Sequence, residues 1–159
     1  MTLAEFNSQI WPLLRQLNDN MNALIRPVCE QRGLTHAQVR ALLAVCQSPC
    51  TVGELGRFMG TADANISSMC KRLERLGYLR RVRSDRDERV VYLQLTAAGT
   101  RLAQQLEQDI SRRLQPVWDA QPQKFPDILQ DISYLSAQLH QATLLANGSP
   151  SPQEKEQNL

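Results

Sequence analysis

No apolar run in this sequence approaches the roughly 20 residues that a membrane-spanning helix needs, so a helical membrane protein is not expected. The opening stretch, MTLAEFNSQ, has neither the basic region nor the apolar core of a secretory signal, and a cytoplasmic protein is the expectation. The cysteines Cys29, Cys46, Cys50 and Cys70 form no CxxC pair, and His36 and His140 are the only histidines, so no metal site is expected. In a reducing compartment these cysteines are expected as small buried hydrophobes rather than disulfides. There is no HExxH, no glycine-rich phosphate loop and no evident nucleophile–base pair, which argues against an enzyme and against a cofactor. Aromatic residues are few and β-branched residues sparse, while Leu, Gln and Ala abound. That balance favours helix.

What is present is ordered along the chain. Leu3, Phe6, Ile10, Leu13, Leu17, Met21, Leu24 and Val28 advance by threes and fours, the period of one long amphipathic helix closed near Gly33. Pro12 is a potential kink within it. Thr35 and Gln38 have the spacing of a capping box, followed by a stripe of Val39, Leu42, Leu43 and Cys46. A second box, Thr51 and Glu54, opens a short helix with Val52, Leu55, Phe58 and Met59 expected inward. Gly60 then allows a tight turn, and a further helix runs from about Asp63 to Gly77. Two short helices joined in this way form a helix-turn-helix candidate. Tyr78–Arg83 and Val90–Leu95 read as two strands around a charged loop, Ser84–Arg89, which places a hairpin wing directly after the second helix. Thr96 caps a long helix to about Ala120, with Leu102, Leu106, Ile110, Leu114 and Val117 on one stripe. Pro122 suits the first turn of a last helix whose seam is Phe125, Ile128, Ile132, Leu135, Leu139, Ala142 and Ala146. The fold class is therefore mainly α with a small β-hairpin wing. The expected division is residues 1–32 as an N-terminal dimerisation helix, 35–96 as a winged helix-turn-helix unit, 97–146 as C-terminal dimerisation helices and 147–159 as a disordered tail.

Charge gathers in the same segment. From Lys71 to Arg89 there are eight basic residues against four acidic ones, so the rest of the chain is net negative. A salt-bridged, solvated helix face would explain the charge by itself. The adjoining hairpin is what turns the reading towards a polyanion. In the second helix Ile66, Met69, Leu73 and Leu76 define the expected buried face. The opposite face offers Ala64, Ser67, Ser68, Lys71 and Arg75, with Arg72 beside them and Asn65 on the flank. Short polar side chains permit close approach to base edges in a major groove, and basic ones reach phosphates. Asn65 can either read an adenine edge or cap the helix. In the wing, Arg86 is the candidate for a minor groove, while Asp87 and Arg89, two residues apart, are read as wing architecture. Cys70, or the Cys46 and Cys50 pair, are the candidate redox residues, with core packing the favoured role of Cys70.

The stretch RLERLGYLRRVRSDRDERVVYLQLTAAG, Arg72–Gly99, resembles the signature of the MarR family of bacterial transcription regulators. The matching elements are Leu73-Glu74-Arg75-Leu76-Gly77 at the helix end, Asp87-Glu88-Arg89 in the wing and Leu95-Thr96-Ala97-Ala98-Gly99 after it. Two positions depart from the pattern: Ala62 replaces a frequent capping Ser, leaving Thr61 or Asp63 to cap, and Glu88 stands where a basic residue is common. The resemblance implies an obligate homodimer that reads a palindromic operator in double-stranded DNA. It further implies repression relieved by a small, often aromatic, effector or by cysteine oxidation. Unpaired apolar seams at both ends of the chain independently predict self-association, with half-sites about 34–36 Å apart if recognition helices enter successive major grooves. The rival reading is a helical homodimeric adaptor that uses the wing for protein contacts and does not bind DNA.

Overall fold

The computed structural model describes residues 1–60, 63–84, 87 and 89–148, the side chains of residues 63, 64 and 146–148 excepted. Thr61, Ala62, Asp85, Arg86, Glu88 and residues 149–159 lie outside the described residues. The chain runs α1 (Leu3–Gln31), α2 (His36–Gln47), β1 (Cys50–Thr51), α3 (Val52–Met59), α4 (Asp63–Arg75), β2 (Leu79–Arg83), β3 (Val91–Leu95), α5 (Ala97–Ala120), a short 3-10 turn (Pro122–Lys124) and α6 (Phe125–Gly148). It divides into two compact units, Met1–Leu114 and Gln115–Leu159. Among the described residues no helix is long and apolar enough to cross a membrane, and no cluster of His, Cys, Asp or Glu could hold a metal ion.

Helix ends in the first unit are set by local chemistry. Capping boxes open α1, α2 and α3: in each, a Thr hydroxyl accepts from an N–H one turn on, and Glu5, Gln38 or Glu54 accepts from the Thr N–H in return. At the end of α1 the Leu34 N–H donates to the Cys29 carbonyl and the Gly33 N–H to that of Glu30. The same arrangement ends α4, with Tyr78 donating to Leu73 and Gly77 to Glu74. Such caps need a left-handed residue, and Gly33 and Gly77 supply it at φ 61° and 76°.

The core gathers Ile25, Val28 and Cys29 of α1, Val39, Leu42 and Val45 of α2, Leu55 and Met59 of α3, Ile66, Cys70 and Leu73 of α4, and Leu102 and Leu106 of α5. Three helix faces are turned from those read in the sequence. In α2, Val45 takes the buried place expected for Cys46, which is exposed. In α3, Phe58 is 63% exposed, because Leu55, Gly56 and Met59 form the inner face. In α4, Cys70 is wholly buried and Leu76 is 47% exposed, so the inner stripe is Ile66, Cys70 and Leu73 with Met69 half-buried. A short helix in a crowded core shows one narrow strip, and neighbouring volumes choose among apolar residues at +3 and +4.

The sheet has the order β1-β3-β2, antiparallel throughout. Its hairpin pairs Leu79 with Leu95 and Arg83 with Val91, one residue shorter at each strand start than read from composition. The third strand, Cys50–Thr51, pairs with Leu93 and Tyr92 and has no sequence signal. Two residues cannot show a period. Pro122 falls in the 3-10 turn ahead of α6 rather than within that helix, and α6 itself extends to Gly148.

Candidate nucleic-acid interface

The helix-turn-helix is α3 and α4, joined across Gly60, which caps α3 in the left-handed region at φ 63°. With Ile66, Cys70 and Leu73 turned inward, α4 shows Asn65, Ser68, Lys71, Arg72 and Arg75 to solvent. Ser67 is half-buried, less accessible than expected for a base-reading residue. Ala64 lies in the first turn of the helix. The exposed set sits at steps of three and four, so amide, hydroxyl and guanidinium groups form one continuous ridge. Lys71, Arg72 and Arg75 have no ion-pair partner among the described residues. Their charges are available to a polyanion.

The ridge borders a concavity of about 410 Å³, closed on its other side by the first turn of α2. Asn65, Ser68, Arg72 and Arg75 line it from α4, and Thr35, Ala37 and Gln38 from α2. Gln38 is only 2% exposed, and its side-chain oxygen accepts the Thr35 N–H at 2.9 Å, so the capping box is part of this wall.

The wing is braced against the helix it follows. The Arg81 Nε donates to Glu74 Oε1 at 3.1 Å, tying β2 to α4. Arg80 donates to the Gln94 side chain across the strand pair at 3.2 Å. At the turn, the Asp87 carboxylate accepts the Arg89 main-chain N–H at 3.0 Å, the Val90 N–H reaches the Asp87 carbonyl, and the Ser84 N–H reaches the Val90 carbonyl. Asp87 thus engages Arg89 through the backbone. Arg86, the expected minor-groove residue, falls outside the described residues.

The joint behind the wing gives a physical account of Leu95-Thr96-Ala97-Ala98-Gly99. The Thr96 hydroxyl donates to the Gly77 carbonyl at 2.6 Å and accepts the Gly99 N–H at 3.0 Å, while the Thr96 N–H donates to the Tyr78 carbonyl. A β-carbon at Gly99 would overlap the Tyr78 carbonyl oxygen. One hydroxyl therefore caps α5 and anchors it to the C-terminal end of α4. Sequence reasoning saw the cap but not the anchor.

The thiols differ in setting. Burial pushes Cys70 up to about 11, the nearby Arg81 opposing only in part, and burial also raises Cys50 and Cys29. A protonated thiol is a poor nucleophile towards peroxide. Cys46, exposed, lines a smaller concavity with Leu43 and Gln47 of α2 and Glu107, Ile110 and Ser111 of α5. Sequence reasoning also missed Arg32, whose side chain reaches Gln105 and Asp109 of α5, more than 70 residues on.

The model of the MarR family matches residues 32–90, the segment that holds α2, the helix-turn-helix and the wing as far as the residue before β3. The organic hydroperoxide resistance transcriptional regulator of Bacillus subtilis (strain 168) is 29% identical over 99 residues, 62% of this chain and 67% of that protein. A solved structure of a MarR family protein from Bacillus stearothermophilus is 25% identical with a TM-score of 0.63, over 90% of this chain and 99% of that one. NadR in complex with 4-hydroxyphenylacetate, at 22% identity, shares the fold with a TM-score of 0.74 over 81% of this chain and 92% of its own. Helix-turn-helix, braced wing and family model coincide in one stretch: residues 32–90 match the MarR family, and the fold is the one seen in MarR family structures.

Proposed function

We propose that the chain acts in the cytoplasm as a homodimeric repressor that reads a palindromic operator with α4 in the major groove. The observation that carries this reading is the ridge Asn65, Ser68, Lys71, Arg72 and Arg75, exposed, without ion-pair partners among the described residues, and flanked by a wing fixed to the same helix. Asn65 and Ser68 are the base-edge candidates, joined by Ala64 and Ser67. Lys71, Arg72 and Arg75 contact phosphates. Arg86 enters the minor groove, with Asp87 and Arg89 shaping the loop that presents it. Dimerisation is supported by large apolar side chains that stay exposed at both chain ends, Trp11, Leu13 and Leu17 in α1 and Ile128, Ile132 and Leu139 in α6.

Relief of repression is assigned to a small aromatic ligand. The structural neighbour NadR is described with 4-hydroxyphenylacetate, and the raised Cys70 and Cys50 thiols weigh against oxidation at those positions. Cys46 is the thiol open to an oxidant.

The test is a salt series of operator binding by fluorescence anisotropy. Lys71→Ala and Arg75→Ala are each expected to weaken binding and to flatten the slope of log K against log[salt] by about 0.9 per lost phosphate contact. Unchanged slopes in both variants would remove α4 from the phosphate backbone and sink the docking mode.

A further inference from the structure

Arg32 occupies the C-cap of α1 and reaches α5 with both arms of its guanidinium. Its Nη1 donates to the Gln105 side-chain oxygen at 2.8 Å and its Nη2 to Asp109 Oδ2 at 2.7 Å. The pair is about three-quarters shielded, with side-chain exposures of 26% and 21%, and Arg112 approaches the other Asp109 oxygen at 3.4 Å. A forked, charge-assisted contact of this kind fixes orientation as well as distance. At its other end α5 is fixed to Gly77 and Tyr78, the residues that terminate α4, through Thr96 and Gly99. Along α5, Gly99 and Asp109 are about 15 Å apart at the usual helical rise. Besides the burial of Leu102 and Leu106 in the core, polar contacts thus hold the helix at two separated points: by the end of α4 and by the end of α1. Two such points define the direction of a rod.

We propose that Arg32 is a positioning residue for DNA recognition, clasping α5 to α1 so that α5 holds the C-terminal end of α4 in its DNA-reading orientation. Arg32 touches no DNA in this scheme. Its guanidinium is spent on Asp109 and Gln105, whereas Lys71, Arg72 and Arg75 are open. The proposal rests on α4 being the DNA-reading element.

The test combines two readouts on the full chain carrying Arg32→Gln, Asp109→Asn or both. Amide hydrogen exchange of the free protein is expected to speed up by about fivefold at Thr96 and Gly99, with the core amides of α2 unchanged, because only the joint loosens. Affinity for a duplex that the wild-type chain selects from a random-sequence pool is expected to fall by about fivefold, with the salt slope unchanged, since no phosphate contact is lost. The double variant is expected to be no worse than the poorer single one, as for two partners of one interaction.

Unaltered exchange at the joint would overturn the clasp whatever the DNA result. A salt slope flattened by about one phosphate contact in Arg32→Gln would make Arg32 a DNA contact instead. Additive losses in the double variant would also overturn it. Should Arg32→Gln speed exchange throughout the core, Gln105→Ala removes one arm and leaves the charge pair; no change at Thr96 and Gly99 there would equally end the proposal. If the wild-type chain selects no duplex, the DNA-reading assignment fails, and the exchange data still decide the clasp.

Discussion

At Gly99 the first turn of α5 lies so close to the backbone of Tyr78 that a methyl group has nowhere to go, the obstacle being a carbonyl rather than a movable side chain. Its neighbour Thr96 shares its hydroxyl between Gly77 and Gly99. Gly99→Ala is therefore expected to cost about 1–3 kcal/mol through overpacking, although alanine is the better helix former. A urea titration followed by circular dichroism checks this, and a midpoint equal to wild type would mean that the backbone yields at no cost. Both residues were legible as part of a motif and a helix cap. Their contact with Gly77 and Tyr78 was not, since it joins positions about twenty residues apart in sequence. Arg32 shows the same limit more strongly: nothing near it in the chain signals Asp109. Cys70 takes the core-packing role that the sequence favoured for it, fully buried, with burial holding its thiol protonated.

Among the elements, helix positions and ends follow closely from the sequence, because caps and glycines act over three or four residues. Which side of each helix faces inward was less secure. In α3 the sequence offers Leu55, Phe58 and Met59 as equally apolar, yet only Leu55 and Met59 are buried. Leu55→Ala is expected to lower stability by about 2–4 kcal/mol, as for other buried leucines. Phe58→Ala should stay within about 0.5 kcal/mol of wild type. Thermal unfolding of the two variants decides, and equal losses would restore Phe58 to the core. The same rotation in α4 bears directly on the interface. With Cys70 inward, the exposed ridge centres on Ser68, Arg72 and Arg75, so Ser67 is half-buried at its margin and Arg72 stands in the middle of the basic group.

For the whole molecule, the seams of α1 and α6 carry the weight of the dimer reading. Ile132 is 49% exposed in a helix whose seam advances with the period of paired helices. Ile132→Glu is expected to convert a wild-type dimer into a monomer by sedimentation velocity and to reduce operator affinity by at least tenfold, as half of a two-fold contact is lost. A wild-type chain that sediments as a monomer would refute the dimer itself. The sequence by itself determined the element order, the helix ends, the placement of a hairpin directly after the helix-turn-helix, and the concentration of positive charge there. Those features are written in local periodicity and local capping chemistry. Tertiary structure alone decided which residues of α2, α3 and α4 turn inward, the third strand at Cys50–Thr51, and the two anchors of α5 at Gly77–Tyr78 and Arg32. Each of these depends on which distant surfaces meet, and no window of the sequence contains both sides of such a contact.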